Sequence, residues 1–250
     1  DDVAGNAIGD GLVLTGGLGF GTAINVSDDF TGGAFFGGHY QGTFNAGGDV
    51  SGDQWIVDGS VTRYGFIGGI GGDFDAEVQI HGNFSGIATA FGDAGGAWHI
   101  RGSGLVDGRL QAEGWDDFRV AGNFDSQLIG VNSSGAFDDV MVAIGGSMGR
   151  YARVISYDDL ELEVTGHVLP GSMAAANNDL EGFVGGNFYG CWAAESGTEI
   201  AIVGSAQAGQ IGTQSSLTLT VGGNAVSSIL SGSDAPIAVT GTGSQLDVND

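Results

Sequence analysis

The chain has 250 residues, 51 of them glycine and only two proline, with 42% apolar residues. Thirty Asp and Glu stand against six basic residues, all arginine, for a net charge of −24. That balance excludes nucleic acid and anionic membrane as natural partners, because both are polyanions. The apolar content excludes a disordered chain, and the scarcity of proline excludes collagen.

Taken in order, the short apolar strands begin at Leu12, Ala34, Trp55, Val78, Trp98, Phe118, Val140, Leu160, Leu180, Ile200, Leu217 and Ile237. The steps between them stay near 20 residues, and each strand runs into glycine: Gly16, Gly37, Gly59, Gly82, Gly102, Gly122 and onward to Gly241. Val78 to Phe84 and Phe118 to Phe124 are nearly superimposable, both ending Gly-Asn-Phe. Looser apolar pieces lie between, such as Ile87 to Ala90, Leu105 to Leu110, Leu128 to Val131 and Val226 to Leu230. No stretch carries sustained helical periodicity with caps; only Met173 to Asn177 tolerates a helix, one turn long.

A repeat of about 20 residues built from short strands and Gly/Asn/Asp/Ser turns predicts an all-β, single-domain parallel β-solenoid over residues 1–250, of about twelve coils. The alternative is an antiparallel barrel or sandwich made of hairpins. The near-constant step favours the solenoid, since an extra residue breaks coil stacking unless it bulges, whereas hairpins tolerate unequal lengths.

The acidic pairs head four of these units: Asp116-Asp117, Asp138-Asp139, Asp158-Asp159 and Asn178-Asp179. In a solenoid, Asp117, Asp139, Asp159 and Asp179 are expected in one column with Asp116, Asp138 and Asp158 beside them, continued by Glu199. Carboxylates stacked at about 4.8 Å repel by roughly 1 kcal/mol per neighbour in water. Calcium, which accepts six to eight oxygens, would relieve that repulsion, so these seven aspartates are the candidate calcium ligands. The competing reading makes them turn formers on a solvated corner. Glu161 and Glu163 are expected on one face of their strand, opposite Leu160, Leu162 and Val164.

Other chemistry is poorly supported. His39, His81, His99 and His167 are scattered and give no zinc pattern. The glycine-rich stretches have no lysine or helix with which to cradle phosphate. Cys191 permits no intrachain disulfide, and beside Trp192 it reads as a packed thiol. Phe84, Phe124 and Phe188, with Phe44 in the corresponding place, are expected to form an internal aromatic stack. No run of eighteen apolar residues exists, so no membrane span is predicted. The opening at Asp1 without a leader fits a processed, exported chain or a piece of a longer one.

The repeated Val-x-Gly-Gly-Asn and Ile-x-Gly-Asn-Phe turns resemble the repetitive β-solenoid regions of large bacterial surface proteins and adhesins. That resemblance implies a secreted or cell-surface structural role without enzymatic activity: an adhesin stalk or a self-assembling matrix filament. Val3 to Leu14 and Pro236 to Val248 read as strand with no capping helix, and open solenoid ends must be covered, so the expected partners are other copies of the chain stacked end to end or flanking coils of a longer protein, with surface polysaccharide as a further one. A second, local resemblance lies at Gly186-Asn187-Phe188-Tyr189-Gly190 and Ala193-Ala194-Glu195-Ser196-Gly197. It is similar to the signature of transferrin-binding-protein-like β-barrel lipoproteins, with Cys191 where that family has proline, and it implies a ligand-binding barrel. A third reading is a polysaccharide-acting β-helix enzyme, which would use paired carboxylates.

Overall fold

The computed structural model describes residues 2–3, 7–8, 11–52, 54–69, 71–130, 139–231, 237–239 and 245–249. Every strand pairing among them is parallel, and strands about 20 residues apart in sequence are neighbours in space. This is a parallel β-solenoid, and it sets aside the antiparallel barrel. A front ladder of twelve strands runs from Leu12–Leu14 to Ile237–Val239. A back ladder includes Ala23–Val26, Ile87–Ala90, Met173–Ala176 and Gln210–Thr213. The helix-tolerant Met173 run is therefore strand: Ala174 and Ala176 point into the core and Met173 and Ala175 away from it, a period of two imposed by the neighbouring coils.

One coil shows the path. Val78–Ile80 lies in the front ladder, and the chain turns through His81, Gly82 and Asn83. A single residue, Phe84, then bridges to Val61 and Gly104 of the adjacent coils. After a second turn Ile87–Ala90 joins the back ladder, and Phe91, Gly92 and Asp93 turn the chain to Ala94, which bridges to Trp115. Each coil is thus four-sided here, with two strands and two single-residue sides.

The cross-section then tapers. Trp98 lies four positions beyond Ala94, Phe118 three beyond Trp115, and Val142 two beyond Val140, while the partners stay aligned. A register shift between Trp115 and Phe118 absorbs the change. From Val140–Ile144 onward the fourth side has merged into a longer front strand. This corrects the simple ladder of strand starts. Phe118 pairs with Val142 rather than Val140, Leu180 pairs with Thr198 rather than Ile200, and Ile200 pairs with Leu219 rather than Leu217.

Core volume follows the taper. The wide coils are filled by a chain of rings: Phe30, Phe44, Trp55, Phe74, Trp98, Trp115, Phe118 and Phe124, each within 6 Å of the next, mostly edge to face. Such pairs add about 0.5–1.5 kcal/mol each beyond area burial. The narrow coils use Val142, Leu162, Val164, Ile200, Ile202, Leu219 and Val221 instead. Phe84, Phe124 and Phe188 are fully buried in one corner column, but Gly104 stands between the first two, and Met148 and Val168 between the last two. Phe44 is not in this column; it points inward from the back ladder beside Ile67, and Tyr40 holds the corner in its coil.

Where a large ring enters a narrow coil, glycine makes room: a Cβ on Gly182 would lie 2.5 Å from the Trp192 ring. The corner glycines answer to the neighbouring coil. A Cβ on Gly122 would come 2.7 Å from the carbonyl oxygen of Gly102, whereas one on Gly16 would meet nothing within 4 Å. Gly122→Ala should therefore lower stability by about 1–3 kcal/mol through overpacking. Gly16→Ala should stay within about 0.5 kcal/mol. Urea unfolding midpoints of the two variants check this, and equal midpoints would refute the stacking geometry.

Candidate functional site

Three sets of polar residues are placed in register by the coils. The first occupies the turn that follows the front strand. His39, Ser60, Asn83, Ser103, Asn123, Ser147, His167, Asn187, Ser205 and Asn224 hold the same place in successive coils. Each side chain accepts a hydrogen bond from the backbone N–H of the next, at 2.8–3.1 Å over nine consecutive links. Only short side chains with an acceptor one or two bonds beyond Cβ reach that N–H. For His39 and His167 the accepting atom is Nδ1, so the neutral ring carries its proton on Nε2. The glycine before each rung leaves space for the acceptor: a Cβ on Gly146 would lie 2.5 Å from Asn123 Oδ1.

The second set is the aspartate corner, before the opposite bridging residues. The backbone N–H groups of Asp49, Asp73 and Asp93 donate to the carboxylates of Asp29, Asp49 and Asp73 at 3.0–3.1 Å. Gly114 interrupts the column, which resumes at Asp139, Asp159 and Asp179; the Asp179 N–H donates to Asp159 Oδ1 at 2.8 Å. Gly197 then follows Asp179. Each carboxylate so engaged caps the turn of the next coil, which is the turn-forming role of aspartate repeated by stacking.

Three of the sequence-predicted ligands, Asp139, Asp159 and Asp179, thus share one column. Asp158 lies beside it, buried, and accepts a hydrogen bond from the Asn178 side chain. Asp138 lies outside the described residues. Asp117 does not join the column, because the register shift after Trp115 turns it onto the front face; there it accepts from Arg119 Nε at 2.7 Å and lies 3.7 Å from His99 Nε2. Asp116 approaches Asp75 across Gly95. Glu199 is aligned with Glu181, not with Asp179. Among the described residues no three His, Cys, Asp or Glu side chains converge as a metal-binding group.

The third set is the outer face of the front ladder. Gln54 and Gln79 both donate to Glu77 at 2.8 Å and hold its carboxyl below the usual range. Arg101 donates to Gln79 at 3.1 Å. Farther along, Glu161, Glu181 and Glu199 stack in one exposed row, with Glu163 on the same face and Leu160, Leu162 and Val164 on the other. They line a shallow recess of about 370 Å³ with Phe183 and Ala201. On the back ladder Cys191 is half-buried beside Met173 and Gln210, and burial pushes its thiol up, away from the reactive thiolate.

The Gly-Asn-Phe turns are legible in the sequence, whereas their Gly-Ser and Gly-His equivalents share no residue type that marks them as the same rung. Asp29, Asp49, Asp73 and Asp93 lie outside the acidic pairs singled out from the sequence. Their signal is an Asp followed by an apolar residue at steps of 20, 24 and 20. No helix among the described residues is long and apolar enough to cross a membrane. Comparison with protein families, with curated proteins and with solved structures finds no match.

Two measurements test these ladders. Asn123→Ala removes an acceptor from a half-buried N–H and should cost about 1 kcal/mol; His167→Asn should cost less than His167→Ala, since asparagine restores the acceptor. Equal losses for the two His167 variants in urea unfolding would refute the rung. Asp75 is pushed up by desolvation and then by Asp73, Asp49 and Asp116. A carboxyl raised in the folded state binds its proton more tightly there, so its contribution to stability falls as pH rises through the window between unfolded and folded values. Asp75→Asn should raise the melting temperature at pH 7 and leave it unchanged at pH 2.5; the reverse order would refute the repulsion.

Proposed function

We propose that this protein is a non-enzymatic structural component of a cell surface or extracellular matrix, a stalk or filament subunit whose coils continue end to end. The observation that carries this reading is the repeated register of successive coils. Backbone bonds, corner rungs and glycines recur at the same places from coil to coil, so an end coil offers a newcomer the same kind of backbone ladder that joins neighbouring coils. The outermost strands of the front ladder, Leu12–Leu14 and Ile237–Val239, pair on one side only, and among the described residues no helix covers them. An open strand edge beside apolar core is a template for another strand. The partner is a flanking coil, contributed by a second copy or by more of the same protein. The net charge of −24 favours this end-on contact over side-by-side packing, which would bring whole acidic faces together.

Calcium belongs to the same reading. The stretch Asp139, Asp159 and Asp179, with Asp158 alongside, brings carboxylates to within a coil spacing of one another, about 4.8 Å. An ion bridging neighbouring coils would draw on carboxylate, turn carbonyl and water oxygens. Negative-stain electron microscopy with calcium and then with chelator tests both parts. Filaments that form with calcium and disperse on chelation are expected. Filaments indifferent to chelation would remove calcium from the reading, and single particles under both conditions would overturn end-to-end stacking.

A further inference from the structure

One corner of the solenoid carries more than stacking requires. Between the bridging residue and the back strand, some coils need only three steps: Tyr40 to Thr43, Phe84 to Ile87 and Phe124 to Gln127. The intervening coils take five: Leu18 to Ala23, Val61 to Phe66, Gly104 to Arg109 and Met148 to Arg153. Short and long turns alternate from Leu18 through Met148. The short turns prove that the corner closes without the extra residues.

Each long turn projects an apolar side chain. Phe20 is 72% exposed, Tyr64 49%, Val106 51% and Tyr151 55%. With Leu105 and Leu169, six of the thirteen exposed large hydrophobics among the described residues sit on this one corner. Such a concentration on an otherwise acidic protein marks a contact surface.

The short turns form the floor between these knuckles. Gln41, Ser85 and Asp125 occupy the same place in their coils, so polar floor alternates with apolar wall every two coils, about 10 Å. The groove between Tyr64 and Val106 measures about 420 Å³ and is lined in addition by Gln41, Thr62, Arg63, Ser85, Leu105, Asp107 and Asp125. The knuckles are fixed in place. Arg63 lies over the Tyr64 ring at 4.8 Å and donates to its hydroxyl at 2.6 Å, and Phe20 meets the same ring at 5.0 Å. Ser85 and Ser126 donate to the Val61 and Leu105 carbonyls, and Asp125 accepts the Tyr151 backbone N–H at 2.7 Å. A rigid surface binds at lower entropic cost.

Charge selects the occupant. Arg63 and Arg150 match Asp107 and Asp125 in number, so this corner is locally neutral on a chain of net charge −24. A polyanion meets carboxylates, and a basic peptide meets two arginines. An uncharged polymer that presents apolar faces and hydroxyls meets both walls and floor. We propose that this corner binds an extended, uncharged β-linked polysaccharide running along the solenoid axis. Sugar faces rest on Tyr64, Val106 and Tyr151, and hydroxyls bond to Gln41, Ser85 and Asp125. The rise per coil is close to the length of one sugar in such a chain, and alternate sugars in a β-1,4 chain face opposite ways, which matches a wall at every second coil.

The test is native affinity electrophoresis of the full chain in gels containing hydroxyethylcellulose, glucomannan, dextran or polygalacturonate. The expected result is retardation by hydroxyethylcellulose or glucomannan and none by the flexible α-linked dextran or the polyanion. Tyr64→Ala with Tyr151→Ala should weaken that retardation at least tenfold, while Phe91→Ala, an exposed ring on another corner, should leave it unchanged; circular dichroism verifies that all variants are folded. No retardation by either β-linked polymer, equal retardation by dextran or polygalacturonate, or undiminished binding by the double tyrosine variant would overturn the proposal. The corner lies along the side of the coils, so filament formation is read separately and neither result decides the other.

Discussion

Parallel stacking of each coil on the next, in register, is the constraint from which the other features follow. Backbone N–H and C=O groups in the ladders point along the solenoid axis, so a coil is satisfied only by a neighbour of the same shape about 4.8 Å away. A side chain then stands over its counterpart, and anything placed at a corner must be compatible with a near-copy of itself. Glycine at the turns follows directly, since a Cβ on Gly122 or Gly146 would strike the carbonyl or acceptor of the coil before it. The Asn/Ser/His rungs follow too. A turn N–H that faces the previous coil needs an acceptor there, and a short polar side chain supplies it at every link from His39 to Asn224.

Repetition creates an electrostatic problem as well as a structural solution. Stacked carboxylates repel, and a chain with 30 acidic residues has little means of neutralising them internally. The aspartate corner mitigates this by giving carboxylates backbone N–H donors from the next coil. The relief is incomplete around Asp75, where desolvation and three neighbouring aspartates act together. On the front face the neutral amides Gln54 and Gln79 do the equivalent for Glu77.

The taper links packing to shape. Losing residues from one side of the coil, from four to three to two, forces the interior from tryptophan and phenylalanine to valine, leucine and isoleucine. Close packing leaves no room for the larger set in the narrower coils. Trp192 shows the rule by its exception, since it fits only because Gly182 has no side chain. The outermost front strands pair on one side only, and the sides of the stack carry what the turns can present without disturbing it, as at Phe20, Tyr64, Val106 and Tyr151.

The period of the sequence determined the fold class by itself, because a constant step with glycine at a constant place is what stacking demands of any chain. It also determined which face of Leu160–Val164 is buried, since strand alternation is local. Register was decided only by the tertiary structure. The residue absorbed between Trp115 and Phe118 leaves the local pattern intact while shifting Asp117 out of line with Asp139, and a coil of 18 residues from Leu180 to Thr198 sets Glu199 beside Glu181. The polar ladder was hidden for a related reason. Asn, Ser and His look unrelated in a linear chain, and they become equivalent only when a neighbouring coil brings one N–H within reach of each acceptor.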